Sequence, residues 1–366
     1  LRIAVLKERA TGESRVAASP ETVKKFIALG NEFASISDEA FVEAGATIGS
    51  AEQTIKGADI VLGVQAPDPA LLAGAKPGAM VAALFDPFGN TPLVESYAKA
   101  GLEALSMEFM PRITRAQSMD VLSSQSNLAG YKAVISAAGV YGRAFPMMMT
   151  AAGTVQPARV FVMGVGVAGL QAIATARRMG AQVSATDVRS ATKEQIQSLG
   201  AKPIFVEEVA GIEGEGSGGY ATEMSDEYKA AQAKLVSEHI AKQDIVITTA
   251  LIPGRAAPQL ISDEQIASMK QGSVIFDLAV AQGGNVAGSK PDEIVERHGV
   301  KIMGYSNTPA HLAADASALF ARNHFNFLSA FWDEEAGKPI LDEEIGDAIR
   351  LTQGGAIVSE RLKGTN

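Results

Sequence analysis

Cysteine is absent from the 366 residues, which removes disulfides, thiolate nucleophiles and cysteine metal sites together. Tryptophan occurs once and histidine only four times. His239, His298, His311 and His324 show no ligand spacing such as H-x-x-x-H, so no metal is expected. Positive charge is also short, with 32 lysines and arginines against 41 aspartates and glutamates. The resulting net charge of −9 leaves no basic face for phosphate neutralisation, and nucleic acid is not an expected partner. No apolar run is long enough to cross a bilayer, and no charged, then apolar, then small-residue leader opens the chain at Leu1. The sequence therefore reads as a soluble chain with no membrane span of its own.

What the chain does hold is small and apolar. Hydrophobic residues make up 47% and glycine occurs 36 times, the balance of an alternating α/β chain long enough for two domains with a core each. One stretch organises the reading: Ala158-Arg159-Val160-Phe161-Val162-Met163-Gly164-Val165-Gly166-Val167-Ala168-Gly169-Leu170. Residues 160–163 have the β-branched content of a parallel strand covered on both faces. Gly164, Gly166 and Gly169 follow in G-x-G-x-x-G spacing, for a tight turn, for backbone approach to a pyrophosphate and for close helix packing. A helix over 167–179, closed by Gly180, aims its free N–H groups at that phosphate. A second strand over 182–186 ends in Asp187, where a ribose-binding acid belongs.

Upstream, residues 2–6 predict a strand, and Ser19 as N-cap with Pro20 at the first position predicts a helix ending at Gly30. Between them, residues 7–16 are too charged for core and read as a solvated turn. Residues 60–64, 79–85 and 102–107 predict short buried strands, with helices near 52–56 and 93–100, an alternation that gives a parallel sheet. This first α/β domain carries no glycine fingerprint. Residues 107–126 then break the pattern with two arginines, Gln117, Asp120 and several hydroxyls, as either an active-site loop or an interdomain linker. A long helix over 128–145 follows.

Beyond the fingerprint, residues 202–206, 245–249, 274–278 and 300–303 bring the second sheet to six strands, and Ser262 with Gln265 forms a capping box. The strand-end loops at 248–254, which includes Thr249, Ala250 and Leu251, and at 277–284 are either ligand contacts or ordinary turn chemistry. Residues 207–220 are rich in glycine without periodicity and read as a lid closing on Tyr220 and Met224. A second long helix over 310–331 returns the chain to the first domain, which the tail after Trp332 completes. These readings give an α/β chain of two Rossmann-like domains with parallel sheets, joined by two long helices around a cofactor cleft. The discontinuous N-terminal domain takes residues 1–125 plus 311–366, and the dinucleotide-binding domain takes 126–310.

Four motifs extend this reading. Pro111-Arg112-Ile113-Thr114-Arg115-Ala116-Gln117-Ser118-Met119-Asp120, Ser123-Ser124-Gln125-Ser126-Asn127-Leu128-Ala129-Gly130-Tyr131, Met147-Met148-Met149-Thr150-Ala151-Ala152-Gly153-Thr154 and the glycine fingerprint together closely resemble the NAD(H)-binding domain I of proton-translocating transhydrogenases. The wider family, which shares the 8–16 signature, includes alanine dehydrogenase. The resemblance implies a homodimer that is peripheral on the cytoplasmic face of the inner membrane. It would bind NAD(H) and pass hydride to NADP⁺ on a partner domain III, coupled to proton movement through a membrane domain II. It further implies that Arg112, Gln117, Asp120 and Ser123 hold the nicotinamide carboxamide and ribose, with Ile113 and Thr114 beside them. Gly164, Val165, Gly166, Val167 and Gly169, with Asp187, Val188 and Arg189, would hold the pyrophosphate and adenosine ribose. Gly219, Tyr220, Gln232, Thr249, Ala250 and Leu251 would line or close the site. Around residues 30–37 the chain is several residues shorter than the family pattern, lacking a strand and a glycine turn.

The choice of chemistry turns on what the first domain offers. Reducing a keto acid needs a cation for the carboxylate and a general acid for the carbonyl. In the alanine dehydrogenase branch of the resemblance these are a lysine and a histidine, where this chain has Gln65 and Asp86; only Arg15 remains. Hydride transfer between two nicotinamides forms no alkoxide and needs only positioning and exclusion of water. An amino-acid dehydrogenase and a non-catalytic NAD sensor remain as alternatives. At Asp187, ribose hydroxyls can donate to the carboxylate whereas a 2′-phosphate meets like charge, which favours NADH over NADPH; Arg189 nearby tempers this.

Overall fold

The computed structural model describes residues 1–28, 32–35, 39–206, 226–252 and 254–363. It divides into two compact units, residues 1–125 with 312–366, and residues 126–311.

The first unit is built on a six-stranded sheet of β1 (Arg2–Val5), β2 (Glu32–Ser35), β3 (Thr47–Ile48), β4 (Ile60–Gln65), β5 (Met80–Leu84) and β6 (Glu103–Ser106). Their spatial order is β3-β2-β1-β4-β5-β6, and every pairing is parallel. The order reverses between β1 and β4, the switch point of a doubly wound fold. The Pro20–Ala28 helix begins where Ser19 caps it, its Oγ accepting from the Thr22 amide at 3.3 Å. A strand is present where the shortened 30–37 segment suggests its loss. Four residues suffice for β2 to bridge β1 and the two-residue β3.

The charged 7–16 loop departs from the sequence reading at one end. Lys7 and residues 9–12 are exposed, as in a solvated turn, but Arg15 is only 5% exposed and the Glu13 side chain pairs with it. Opposite charges that neutralise each other locally can be buried where composition alone predicts exposure.

The tail after residue 331 finishes this unit. Leu351 N–H donates to the Ala104 carbonyl at 2.8 Å, and Thr352 Oγ1 accepts from the Ala104 amide at 3.1 Å, both on β6.

In the second unit, a two-stranded hairpin of β7 (Met148–Thr150) and β8 (Gly153–Val155) precedes a seven-stranded sheet. The sheet comprises β9 (Arg159–Met163), β10 (Gln182–Thr186), β11 (Lys202–Pro203), β12 (Ile245–Thr248), β13 (Val274–Asp277), β14 (Ile294–Arg297) and β15 (Val300–Met303). Their order is β11-β10-β9-β12-β13-β15-β14, and the switch point lies between β9 and β12. Six strands are parallel, and β14 is a seventh, antiparallel to β15 and unforeseen from the sequence. Its hairpin turns on His298 and Gly299, both at positive φ (52° and 74°), the geometry that matches strand twist in a two-residue turn.

The sequence predicts two long helices, over 128–145 and 310–331. The first runs from Val121 to Val140, starting about two turns earlier, because Asp120 caps it. The second spans Ala313–Ala330 after a 3-10 turn at Thr308–Leu312. Residues 107–120 are neither strand nor α-helix but hold two 3-10 turns, Met107–Phe109 and Thr114–Met119. The candidate lid at 207–220 lies outside the described residues. Among those described, no helix is long and apolar enough to cross a membrane.

Candidate functional site

The glycine turn leaves the end of β9 at the switch point of the second unit. Gly164 has φ +98°, and a Cβ there would run into Thr249 Oγ1. Thr249 in turn donates from Oγ1 to the Gly164 carbonyl at 3.0 Å and from its amide to the Met163 carbonyl at 2.9 Å. A Cβ on Gly169 would run into the Gly164 carbonyl, so the Val167–Arg178 helix lies directly on the turn. Gly166 differs: its φ is −80° and a Cβ would meet nothing within 4 Å. Nothing in the protein crowds a side chain at 166, so glycine there leaves the backbone of the turn open to approach. Gly166 is also the helix N-cap and gives no side-chain acceptor to the first-turn amides, the arrangement that suits an anion.

Asp187 closes one side of this turn. Its Oδ2 accepts from the Val165 amide at 2.7 Å, tying the end of β10 to the residue between the first two glycines. Arg189 folds back on the same carboxylate, Nε to Oδ1 and Nη2 to Oδ2 at 2.9 Å each, and its amide also donates to Oδ1 at 2.9 Å. Burial opposes ionisation of Asp187, but the Arg189 guanidinium and the two amides outweigh it and hold the carboxyl below its ordinary range. Val165 is buried, while Val167 and Val188 are half-buried.

The two strand-end loops that the sequence leaves open are organised by residues it does not single out. Asp277, with no exposure, accepts from the amides of Ala279, Asn285 and Val286 and from Ser289 Oγ. Asn285 then accepts from the Ala250 amide at 3.1 Å and donates to the Ala250 carbonyl at 2.9 Å. Burial raises the Asp277 carboxyl above its ordinary range despite these donors. Thr249 and Ala250 are thus held from below, and Leu251 is left 40% exposed. An acid at a strand end followed by Gly283-Gly284-Asn285 is the available signal. Gln232 sits half-buried on the Asp226–Ile240 helix, and Gly219 and Tyr220 lie outside the described residues.

In the first unit, Asp120 and Ser123 meet directly: Oδ1 accepts the Ser123 amide at 3.0 Å and Oδ2 the Ser123 hydroxyl at 2.5 Å. The Thr114–Met119 turn is anchored from the Ala313–Ala330 helix, where Asn323 and Asn326 both donate to the Ser118 carbonyl. Arg115 is engaged by Asp342 and Glu344 in the tail, a structural role. Thr114 and Gln117 are exposed on the same turn, Arg112 is exposed just before it, and Ile113 is half-buried.

The switch point of this unit holds a second polar cluster. Arg15 donates to both Glu13 oxygens and, at 3.0 Å, to Gln125 Oε1, while Gln65 Nε2 donates to Glu13 Oε2 at 3.1 Å. Burial opposes the Glu13 charge, yet Arg15 holds that carboxyl below its ordinary range. Glu8 caps the end of β4, accepting from the Val64 and Gln65 amides. Glu108 does the same beyond β5 for Phe85 and Asp86. Asp86 itself is exposed, at φ 45°. Among the described residues, no three histidines, aspartates or glutamates are grouped to hold a metal ion.

Comparison with known proteins adds the lineage. The model for the alanine dehydrogenase/PNT N-terminal domain matches residues 4–129, and that for the C-terminal domain matches residues 133–360. The chain is 53% identical over 381 residues to an NAD(P) transhydrogenase subunit alpha protein of Rhodospirillum rubrum, covering 100% of this chain and 99% of that one. It is 46% identical over 376 residues to the protein of the same name from Rickettsia prowazekii, covering 98% and 96%. The crystal structure of transhydrogenase from Sinorhizobium meliloti superposes with a TM-score of 0.89 at 50% identity, covering 98% of this chain and 100% of that one. On both halves of its length, the chain belongs to the alanine dehydrogenase/PNT family.

Proposed function

We propose that this chain is the NAD(H)-binding component of a proton-translocating transhydrogenase. In this reading it passes hydride from NADH to NADP⁺ held on a separate partner domain, with proton movement carried by a membrane component. It works as a homodimer, peripheral on the cytoplasmic face of the inner membrane. The relatives named above, at about half identity over essentially full length, support the assignment.

Within it, the 164–169 turn receives the pyrophosphate, with Gly166 as the point of closest backbone approach. Asp187 receives ribose hydroxyls, and Arg189 sets its charge. Arg112, Gln117, Asp120 and Ser123 orient the nicotinamide amide and its ribose. Thr249, Ala250 and Leu251 form the wall opposite Asp187. The bound cofactor supplies the hydride; the chain supplies orientation and exclusion of water.

The observation that carries the choice of reaction is the pairing of Arg15 with Glu13. Arg15 is the only buried lysine or arginine among the described residues, and its charge is already met by a carboxylate. Gln65 donates to the same Glu13 and Asp86 is exposed, so neither position at which the alanine dehydrogenase branch has its lysine and histidine offers a cation or a cationic acid here.

The test is titration with NADH and NADPH, followed by hydride exchange with an added NADP-loaded partner domain. Exchange with tighter NADH binding is expected. Pyruvate- and ammonia-dependent NADH oxidation by the chain alone would replace this reading with an amino-acid dehydrogenase. Binding with no turnover in either assay would replace it with a sensor.

A further inference from the structure

Within the second unit, the Val121–Val140 helix meets the Val167–Arg178 helix at a point where no side chain fits. A Cβ built on Gly130 would overlap the Ala168 carbonyl oxygen and lie 2.8 Å from its carbon and 3.0 Å from the Ala168 Cα. All of these are backbone atoms, so no change of rotamer relieves the overlap; one helix would have to move. Ala168 is the second residue of its helix and stands between Gly166 and Gly169. Asn127, nearby on the first helix, donates to Gln171 on the second at 3.4 Å. Gly139, further along the first helix, is the contrast: a Cβ there meets nothing within 4 Å. Glycine is unfavourable in a helix interior, so its presence at 130 calls for a local reason that its neighbour at 139 does not share.

We propose that Gly130 is a positioning residue for the dinucleotide, a fourth glycine of the fingerprint supplied by a different helix. This rests on the dinucleotide reading of the 164–169 turn. The close seat at Gly130 fixes where the Val167–Arg178 helix begins, and the free amides of its first turn move with it. A methyl group at 130 pushes that helix start away from the place set by β9, Thr249 and Asp187. The amides then no longer converge on one phosphate position, and the hydrogen bonds they would give it lengthen and misalign together. Because the damage is confined to the pyrophosphate, ligands that share it lose affinity alike.

The test is calorimetric titration of the full chain with ADP and with NADH. Gly130→Ala is expected to keep the circular dichroism of the parent and a melting temperature within a few degrees. Its Kd for ADP and for NADH should rise at least tenfold and by the same factor, a result that a purely structural glycine would not give in a folded chain. Gly139→Ala should bind as the parent does. Ala133→Val, a buried wedge three residues along the same helix face, is the second variant and should weaken ADP at least threefold. A folded Gly130→Ala that binds ADP within twofold of the parent overturns the proposal. So does an unfolded Gly130→Ala together with normal ADP binding by Ala133→Val. Failure of the parent chain to bind either ligand would instead sink the dinucleotide reading itself.

Discussion

Arg189 grips Asp187 from two residues away through two guanidinium contacts, Nε to Oδ1 and Nη2 to Oδ2 at 2.9 Å, at the end of the strand beside the glycine turn. With the Val165 and Arg189 amides added, the carboxylate accepts four hydrogen bonds, two on each oxygen. In the proposed site a ribose diol would therefore have to exchange with donors already in place.

Removing the carboxylate should invert the preference for NADH over NADPH. In Asp187→Ala, NADH loses a charge-assisted partner worth about 1.5–3 kcal/mol, or roughly 10- to 100-fold in affinity. With the carboxylate gone a 2′-phosphate no longer meets like charge at this position, so NADPH should bind more tightly than in the parent. Parallel titrations with the two nucleotides check this; an unchanged ratio between them would remove Asp187 from the adenosine site.

Two glycines of the same motif should fail in opposite ways. Gly166→Val puts its side chain into open space, so the variant should melt like the parent yet lose measurable NADH binding. Gly169→Ala drives a methyl group into the Gly164 carbonyl and should lose about 1–3 kcal/mol of stability before any ligand is added. Chemical denaturation beside NADH titration separates the two effects. Parent-like NADH affinity in Gly166→Val would place the pyrophosphate elsewhere.

Asp120 combines a cap with a proposed contact to nicotinamide, and two substitutions separate these roles. Asparagine keeps a side-chain oxygen for the Ser123 amide, so Asp120→Asn should retain stability while hydride exchange slows. Alanine removes the cap of a 20-residue helix and should cost about 1 kcal/mol as well. Equal exchange rates in the parent and Asp120→Asn would confine Asp120 to capping.

Local chemistry makes most of the second unit legible in the sequence. The 160–163 strand, the glycine turn, the helix at 167 and the capping box at Ser262 all follow from residues within one element, and each stands in the structure. The Asp277–Asn285 hub is not legible, because its donors come from separate loops and only the folded sheet brings them to one carboxylate. Arg15 and Glu13 mislead for the same reason. Two charges two residues apart look solvated until Gln65 and Gln125, 52 and 110 residues away, are seen to complete their hydrogen bonds. The antiparallel β14 escapes a sequence reading because its turn is a His-Gly pair rather than the commoner Asn-Gly or Asp-Gly.

The cap on β4 makes a prediction about pH. Burial pushes the Glu8 carboxyl from 4.5 up to about 7, and Glu13 nearby adds to this, although the Val64 and Gln65 amides and Arg15 favour its charge. The folded chain then holds a proton that the unfolded chain has already released. Stability from this group is complete below about pH 4.5 and is lost as pH rises through 7, the reverse of the usual buried carboxylate pair. In Glu8→Gln the side chain cannot titrate, and its single acceptor oxygen satisfies one of the two amides, an offset independent of pH. The difference in melting temperature between parent and variant should therefore change between pH 5 and 8, with the parent losing ground as pH rises. A difference that stays flat across that range would mean that Glu8 titrates as an ordinary surface carboxyl and that its contact with the end of β4 is not a buried one.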